Sequence, residues 1–350
     1  MLLLRPNEAL KEKTVRKLEG IRTVSVISAR LLVAFMALLL AGVVQGAEGE
    51  GGTERSIGKR INVVTTVAPI TNIVRNVTGA YAIVTGIVPD GTDSHTFEPA
   101  PGDAKILQAA DIIIVNGLDL ELPTVKLAEK VKKPGVSILR LGNRALRKEE
   151  WRYDFSFPRE HGHPNPHLWP NIALAMRYAE ITRDALAVLD PAHADDYAKN
   201  AEAYLGKLGR LDQAIFECVG TIPAHNRKLV TYHDSFAYFA PRYRMQVVAA
   251  IQPSDFSEPG PRDVARIIKQ IRKEKIPAIF GSEVFPSKVM AQIARETGVK
   301  FIDQLSDDEL PAPPNDSFIG MMANNMAIMT AALGGNDSCV ANVDTSNVAP

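Results

Sequence analysis

From residue 61 onward, short apolar runs alternate with segments of helical period. INVVTTVAP reads as a strand, and TNIVRNVTG as a helix that ends at Gly79. AIVTGIVP is a second strand, PGDAKILQAA a short helix and DIIIVNG a third strand. ELPTVKLAEKV is a helix and VSILRLG a fourth strand. Near-continuous β-branched runs separated by helices indicate a parallel sheet buried on both faces.

The alternation then stops. Residues 143–166 are polar, contain prolines and aromatics and show no period, so they read as a loop. Two helices follow: NIALAMRYAEITRDALAVLD and, after Pro191, a long one from about Ala192 to Val219. The second carries Tyr197, Ala201, Tyr204, Leu205, Leu208 and Leu211 on one stripe, as in a helix laid across other elements. Strand–helix alternation resumes with KLVTYHD, SFAYFAPRY, MQVVAAI, RDVARIIKQIRKEK, AIFGSE, SKVMAQIARETG and KFIDQL, and a last helix lies in SFIGMMANNMAIMTAALGG. The expected fold is α/β, with a first lobe at 61–190 and a second at 223–336. Each lobe has a parallel sheet flanked by helices, and one long helix at 191–222 bridges them. The tail, 337–350, reads as loosely docked or disordered.

The first residues change the picture. Several basic residues precede an apolar run, LLVAFMALLLAGVV, from Leu31 to Val44. That run suits the core of a signal peptide better than a membrane span. Small residues at Val44 and Gly46 place cleavage after Gly46, so 1–46 is a leader and 47–60 a flexible mature N-terminus. A lipoprotein would carry cysteine after Gly42, where Val43 stands; the expected product is therefore periplasmic and not a lipoprotein. Basic and acidic residues balance at 40 each, so no charge block points to nucleic acid. The expected state is a monomer.

In open parallel sheets ligands bind at the carboxyl ends of strands. Metal-competent side chains fall there repeatedly. His95 follows the second strand, His167 follows the loop after the fourth, His233 ends KLVTYHD, and Asp303 lies near the end of KFIDQL. A lone histidine after a strand more often caps or turns the chain than binds a metal, and Asp303 alone could cap the next segment. Together, three imidazoles and one carboxylate make a complete tetrahedral shell for a divalent ion.

The segments HTFEP, NPHLW, HDSFAYFAPRY, GSEVFPS and FIDQL, in this order and spacing, resemble the periplasmic metal-binding proteins of zinc and manganese ABC importers, the TroA-like family. The resemblance covers about 61–336. It implies two α/β lobes bridged by a rigid helix, a metal in the cleft between them, and a permease and ATPase as partners. Carried over, the ligands are His95, His167, His233 and Asp303, with His161 and His163 left as loop residues. Glu283, in GSEVFPS, is expected to face the same cleft.

Three nitrogens and one carboxylate favour Zn2+, while Mn2+ prefers more oxygen. A manganese-binding protein of the same family is the alternative. A zinc hydrolase and an adhesin are the more distant readings; there is no H-E-x-x-H, and a closed shell leaves no position for a reacting water, so the expectation is no enzyme. If strand ends face the cleft, the long helix and the last helix both finish at the far end of the second lobe. This brings Cys218 near Cys339, and a disulfide is expected.

Overall fold

The computed structural model describes residues 60–282, 284 and 288–348. The expected leader at 1–46 and nearly all of the expected N-terminal segment 47–60 lie outside the described residues. Among the described residues, no helix is long and apolar enough to cross a membrane.

The first sheet holds β1 (Ile61–Thr65), β2 (Ala82–Gly86), β3 (Ile112–Val115) and β4 (Ile138–Arg140), in the order β2-β1-β3-β4. The second repeats that order as β6-β5-β7-β8, with β5 (Lys228–Thr231), β6 (Gln246–Ala250), β7 (Ala278–Ser282) and β8 (Lys300–Leu305). Every pairing is parallel. In each sheet the chain therefore reverses its winding direction after the second strand, which opens a crevice at the carboxyl ends.

Helices cover the sheets: α1 (Ala68–Thr78), α2 (Pro101–Ala109), α3 (Leu122–Val131), α4 (Leu141–Ala145) and α5 (Ile172–Leu189) in the first lobe. The second has α7 (Phe239–Arg242), α8 (Pro261–Glu274), α9 (Lys288–Thr297) and α10 (Phe318–Ala332). Proline stands in the first turn of α1, α2, α3 and α8, where its missing N–H costs nothing. SFAYFAPRY, placed in a strand–helix alternation by its sequence, forms only the short helix α7. The expected loop at 143–166 opens inside α4 and holds two 3-10 turns.

Alternate strand residues divide the core. Val64, Ile113 and Val115 pack under α2 and α3, whereas Val63, Ile112 and Ile114 face the interior shared with α1 and α5. In the second sheet Val230 and Ile279 pack under α8 and α9, while Leu229, Ala278 and Phe280 turn to the shared interior. Between the lobes runs α6 (Ala194–Thr221), about 42 Å long at 1.5 Å per residue. Asp195 and Asp196 in its first turn complement the helix dipole. Its buried stripe, Tyr197, Ala201, Tyr204, Leu208, Leu211 and Ile215, belongs to the same apolar cluster as both inner sheet faces. Cys218 and Cys339 form a disulfide with Cα atoms 5.5 Å apart. The tail beyond it is not loose, as its polarity suggested. It is held by hydrogen bonds to Lys207 of α6 and Asn76 of α1.

Candidate metal centre

Three imidazoles meet where the two crevices face each other. His95 comes from the loop after β2, His167 from the segment before α5, and His233 two residues beyond β5. His95 Nε2 lies 3.1 Å from His167 Nε2 and 3.2 Å from His233 Nε2. Nitrogens around one tetrahedral ion with bonds of about 2.0–2.1 Å stand about 3.3 Å apart. Both separations are close to that value, and all three rings belong to one group able to hold a metal ion.

Each ring is held from behind. His167 is fully buried, and its Nδ1 lies 2.8 Å from Asn165 Oδ1. That oxygen also accepts the His167 backbone N–H at 3.0 Å, while Asn165 Nδ2 donates to the Asp234 carbonyl at 2.7 Å. Asn165 is therefore an acceptor toward the ring, Nδ1 carries the proton, and Nε2 presents its lone pair to the centre. The segment is pinned further by Asn116, whose Nδ2 donates to the Pro166 carbonyl at 2.9 Å. His95 is only partly covered, and its ring stacks on Phe256 with centroids 4.4 Å apart.

Behind His233 stands Asp307, with Oδ2 3.3 Å from Nδ1. Ser235 Oγ and Ser282 Oγ both donate to the Asp307 carboxylate, and Trp169 Nε1 donates to its backbone carbonyl at 2.9 Å. Next to it, the Asp308 carboxylate accepts from Ser94 Oγ at 2.6 Å, and Glu309 accepts from the Gly91 backbone N–H. The acidic run 307–309 thus reaches the first-lobe loop that carries His95.

The electrostatics divide the three rings. Burial, with His233 nearby, pushes His95 and His167 well below the usual histidine range. Burial acts in the same direction on His233, but Asp307, with Asp308 and Asp93, overcomes it and raises His233 to about 10. Asp307 is lowered despite its burial, chiefly by the charge of His233. Burial pushes Asp308 up to about 7, against the pull of His233. At neutral pH the centre is two neutral imidazoles and one imidazolium–carboxylate pair.

The expected acid, Asp303, requires correction. It lies inside β8 at an exposed position, and the fold does not bring it to the histidines. β8 is the edge strand of its sheet, so its outer positions are free to be polar. The acid that reaches the histidines is Asp307, in the loop after the strand. Ser94, Asn165, Asp307 and Asp308 were all missed by sequence reading. The available signals were an Asn two residues before His167 and an acidic pair just past the last strand. Glu283 lies outside the described residues. Of the other histidines, His161 is exposed, His163 pairs with Asp119 at 2.8 Å, and His193 pairs with Asp190. His161 and His163 line, with His95 and Phe256, a cleft of about 370 Å³ outside the three-histidine cluster.

Two lobes on one rod with a histidine-rich centre between them define a binding protein for a metal ion. The chain belongs to the family described as zinc-uptake complex component A, periplasmic, whose model matches residues 63–332. This is a family of substrate-binding proteins of transporters, not of enzymes. The chain is 32% identical over 304 residues to the iron-binding protein YfeA of Yersinia pestis, covering 85% of this chain and 95% of that one. It is 29% identical to the manganese-binding lipoprotein MntA of Halalkalibacterium halodurans, covering 86% and 97%. Among solved structures it resembles the periplasmic zinc binding protein TroA of Treponema pallidum, with a TM-score of 0.71, 25% identity and coverage of 78% and 99%. A Mn-bound periplasmic metal binding protein of Candidatus Liberibacter asiaticus gives 0.69, 25%, 78% and 100%. Several relatives are named as lipoproteins, so the expectation that this chain lacks a lipid anchor finds no support in them.

Proposed function

We propose that this protein captures a divalent first-row transition metal in the periplasm and hands it to the permease and ATPase of an ABC importer. The cargo binds to His95, His167 and His233, and Asp307 offsets its charge. The observation that carries this reading is the convergence of His95, His167 and His233, with His95 Nε2 at metal-shell spacing from the other two. A leader ending at Gly46 and a monomeric mature chain belong to the same proposal.

Zinc is the first choice of cargo, because three imidazole nitrogens suit it and it outranks manganese at nitrogen sites. Manganese is the second reading, and one feature favours it. Asp308 lies with Asp307 and His233 in a second ligand-competent group, and added carboxylate oxygen suits a harder ion.

The test is metal content by mass spectrometry, followed by competitive titration against chromogenic chelators. We expect one tight ion per chain, zinc bound above manganese, and loss of tight binding in His167→Ala but not in the His161→Ala, His163→Ala double variant. Equal losses in the two would remove the proposal.

A further inference from the structure

The main chain passes from the first lobe to the second once, through α6. The tail makes a second crossing. It starts at Cys339, joined to Cys218 in the last turn of α6. It then runs back along the helix to Lys207, about three turns and roughly 16 Å earlier. Lys207 Nζ pairs with Asp344 Oδ2 at 2.8 Å, and donates to the Ser346 carbonyl at 2.8 Å and to Ser346 Oγ at 2.7 Å. The tail then reaches α1 in the first lobe. Asn347 Oδ1 accepts from Asn72 Nδ2 at 3.1 Å and from Asn76 Nδ2 at 3.0 Å, and Val348 N donates to Asn76 Oδ1 at 2.7 Å.

Those two asparagines are only 4% and 1% exposed, so their amides need protein partners. The second lobe joins the same knot. Asn72 Oδ1 accepts the Phe318 N–H at the start of α10 at 3.0 Å, and Ser317, the cap of α10, donates to the Thr345 carbonyl. None of these bonds uses a residue of the metal centre.

The lobes already share the apolar cluster around α6 and the hydrogen bonds beside the metal centre, but none of these ties is covalent apart from the main chain of α6. A further tie, fixed by a covalent bond at one end and by a buried amide pair at the other, restricts the rocking and twisting about α6 that they leave. We propose that residues 339–348 are a strap that restrains the two lobes about α6 and thereby slows departure of the bound ion. The restraint stands on geometry alone, and the effect on release rests on the metal-binding reading above.

The experiment compares the full chain with one ending after Val343, which keeps the disulfide and loses the contacts to Lys207, Asn72 and Asn76. Dyes on non-canonical residues replacing exposed Lys130 and Lys269 report the lobe–lobe distance by single-molecule energy transfer. Release is followed by mixing zinc-loaded protein with excess chelator. Shortening should widen the distance distribution and speed release by about fivefold or more. Lys207→Ala, which removes one tie, should move both in the same direction by less. An unchanged distribution overturns the strap, whatever the chain binds. A widened distribution with unchanged release overturns the claim on release. Failure of the intact chain to bind either zinc or manganese overturns the metal reading, and the distance measurement still decides the strap.

Discussion

His233 faces three ways: its Nε2 toward His95, its Nδ1 toward Asp307, and its backbone along the end of β5. Its pKa near 10 in the metal-free protein lies above the unfolded value of 6.5. The stabilisation from that pairing is therefore complete below about 6.5 and is lost as pH rises through about 10. Asp307, being lowered, contributes above the ordinary carboxylate range and loses its contribution as pH falls. A metal on Nε2 must displace the proton that His233 holds between those limits. Close to one proton should leave per ion bound at pH 7.5, and affinity should rise about tenfold per pH unit there. Titration calorimetry in two buffers of different ionisation heat measures the proton, and a release near zero would contradict the assignment of the charged ring. Two substitutions separate the acids: Asp307→Ala should cost at least about a hundredfold in affinity, and Asp303→Ala almost nothing. Asn165→Ala, which frees the His167 ring from its acceptor, should weaken binding by about 10–100-fold. Chelator competition measures all three.

Strands and helices were readable because buried parallel strands need unbroken β-branched runs, and IIIV in β3 is wholly buried. The positions of His95, His167 and His233 followed from the rule that loops converge at carboxyl ends. Asp303 shows where that rule stops. KFIDQL reads as a strand with an acid near its end, and β8 spans those six residues, yet nothing in the local pattern says which of several nearby acids turns inward. That choice is made by Ser235 and Ser282, which donate to Asp307 from elsewhere in the second lobe. The tail was opaque for a similar reason. Its polarity suggests solvent, yet its partners Asn72 and Asn76 lie more than two hundred residues earlier. The disulfide, by contrast, followed from the directions of α6 and α10. It closes a span of 121 residues, for which chain entropy gives about 4–5 kcal/mol. Replacing both cysteines with serine should lower unfolding stability by about that much while leaving the metal stoichiometry unchanged. Urea denaturation followed by circular dichroism checks the first expectation. A loss below about 1 kcal/mol would mean that the tail holds without its covalent anchor.

At the scale of the whole molecule, the two lobes share more than a ligand. One apolar cluster contains Val63 and Ile114 from the first sheet, Leu229 and Phe280 from the second, the buried stripe of α6, and Phe318, Met322 and Met326 of α10. The separate clusters under α2–α3 and α8–α9 lie on the outer faces and are smaller. Unfolding the first lobe would strip α6 and α10 of their cover, and burial of that surface, at about 25 cal/mol per Å², is the main term holding them. The second lobe should not survive that loss. Metal-free protein should therefore melt in a single calorimetric transition, with van't Hoff and calorimetric enthalpies in agreement. On the proposed reading metal adds to this without changing its form, because the ion would take His95 and His167 from one lobe and His233 from the other. At free metal a hundredfold above Kd the stabilisation is about 2.7 kcal/mol. That should raise the midpoint and keep one peak, and chelation should reverse the rise. His233→Ala should abolish the rise, since two first-lobe imidazoles alone do not reach across the cleft. Two separate peaks in the metal-free scan would show that the lobes fold independently and that α6 belongs to only one of them.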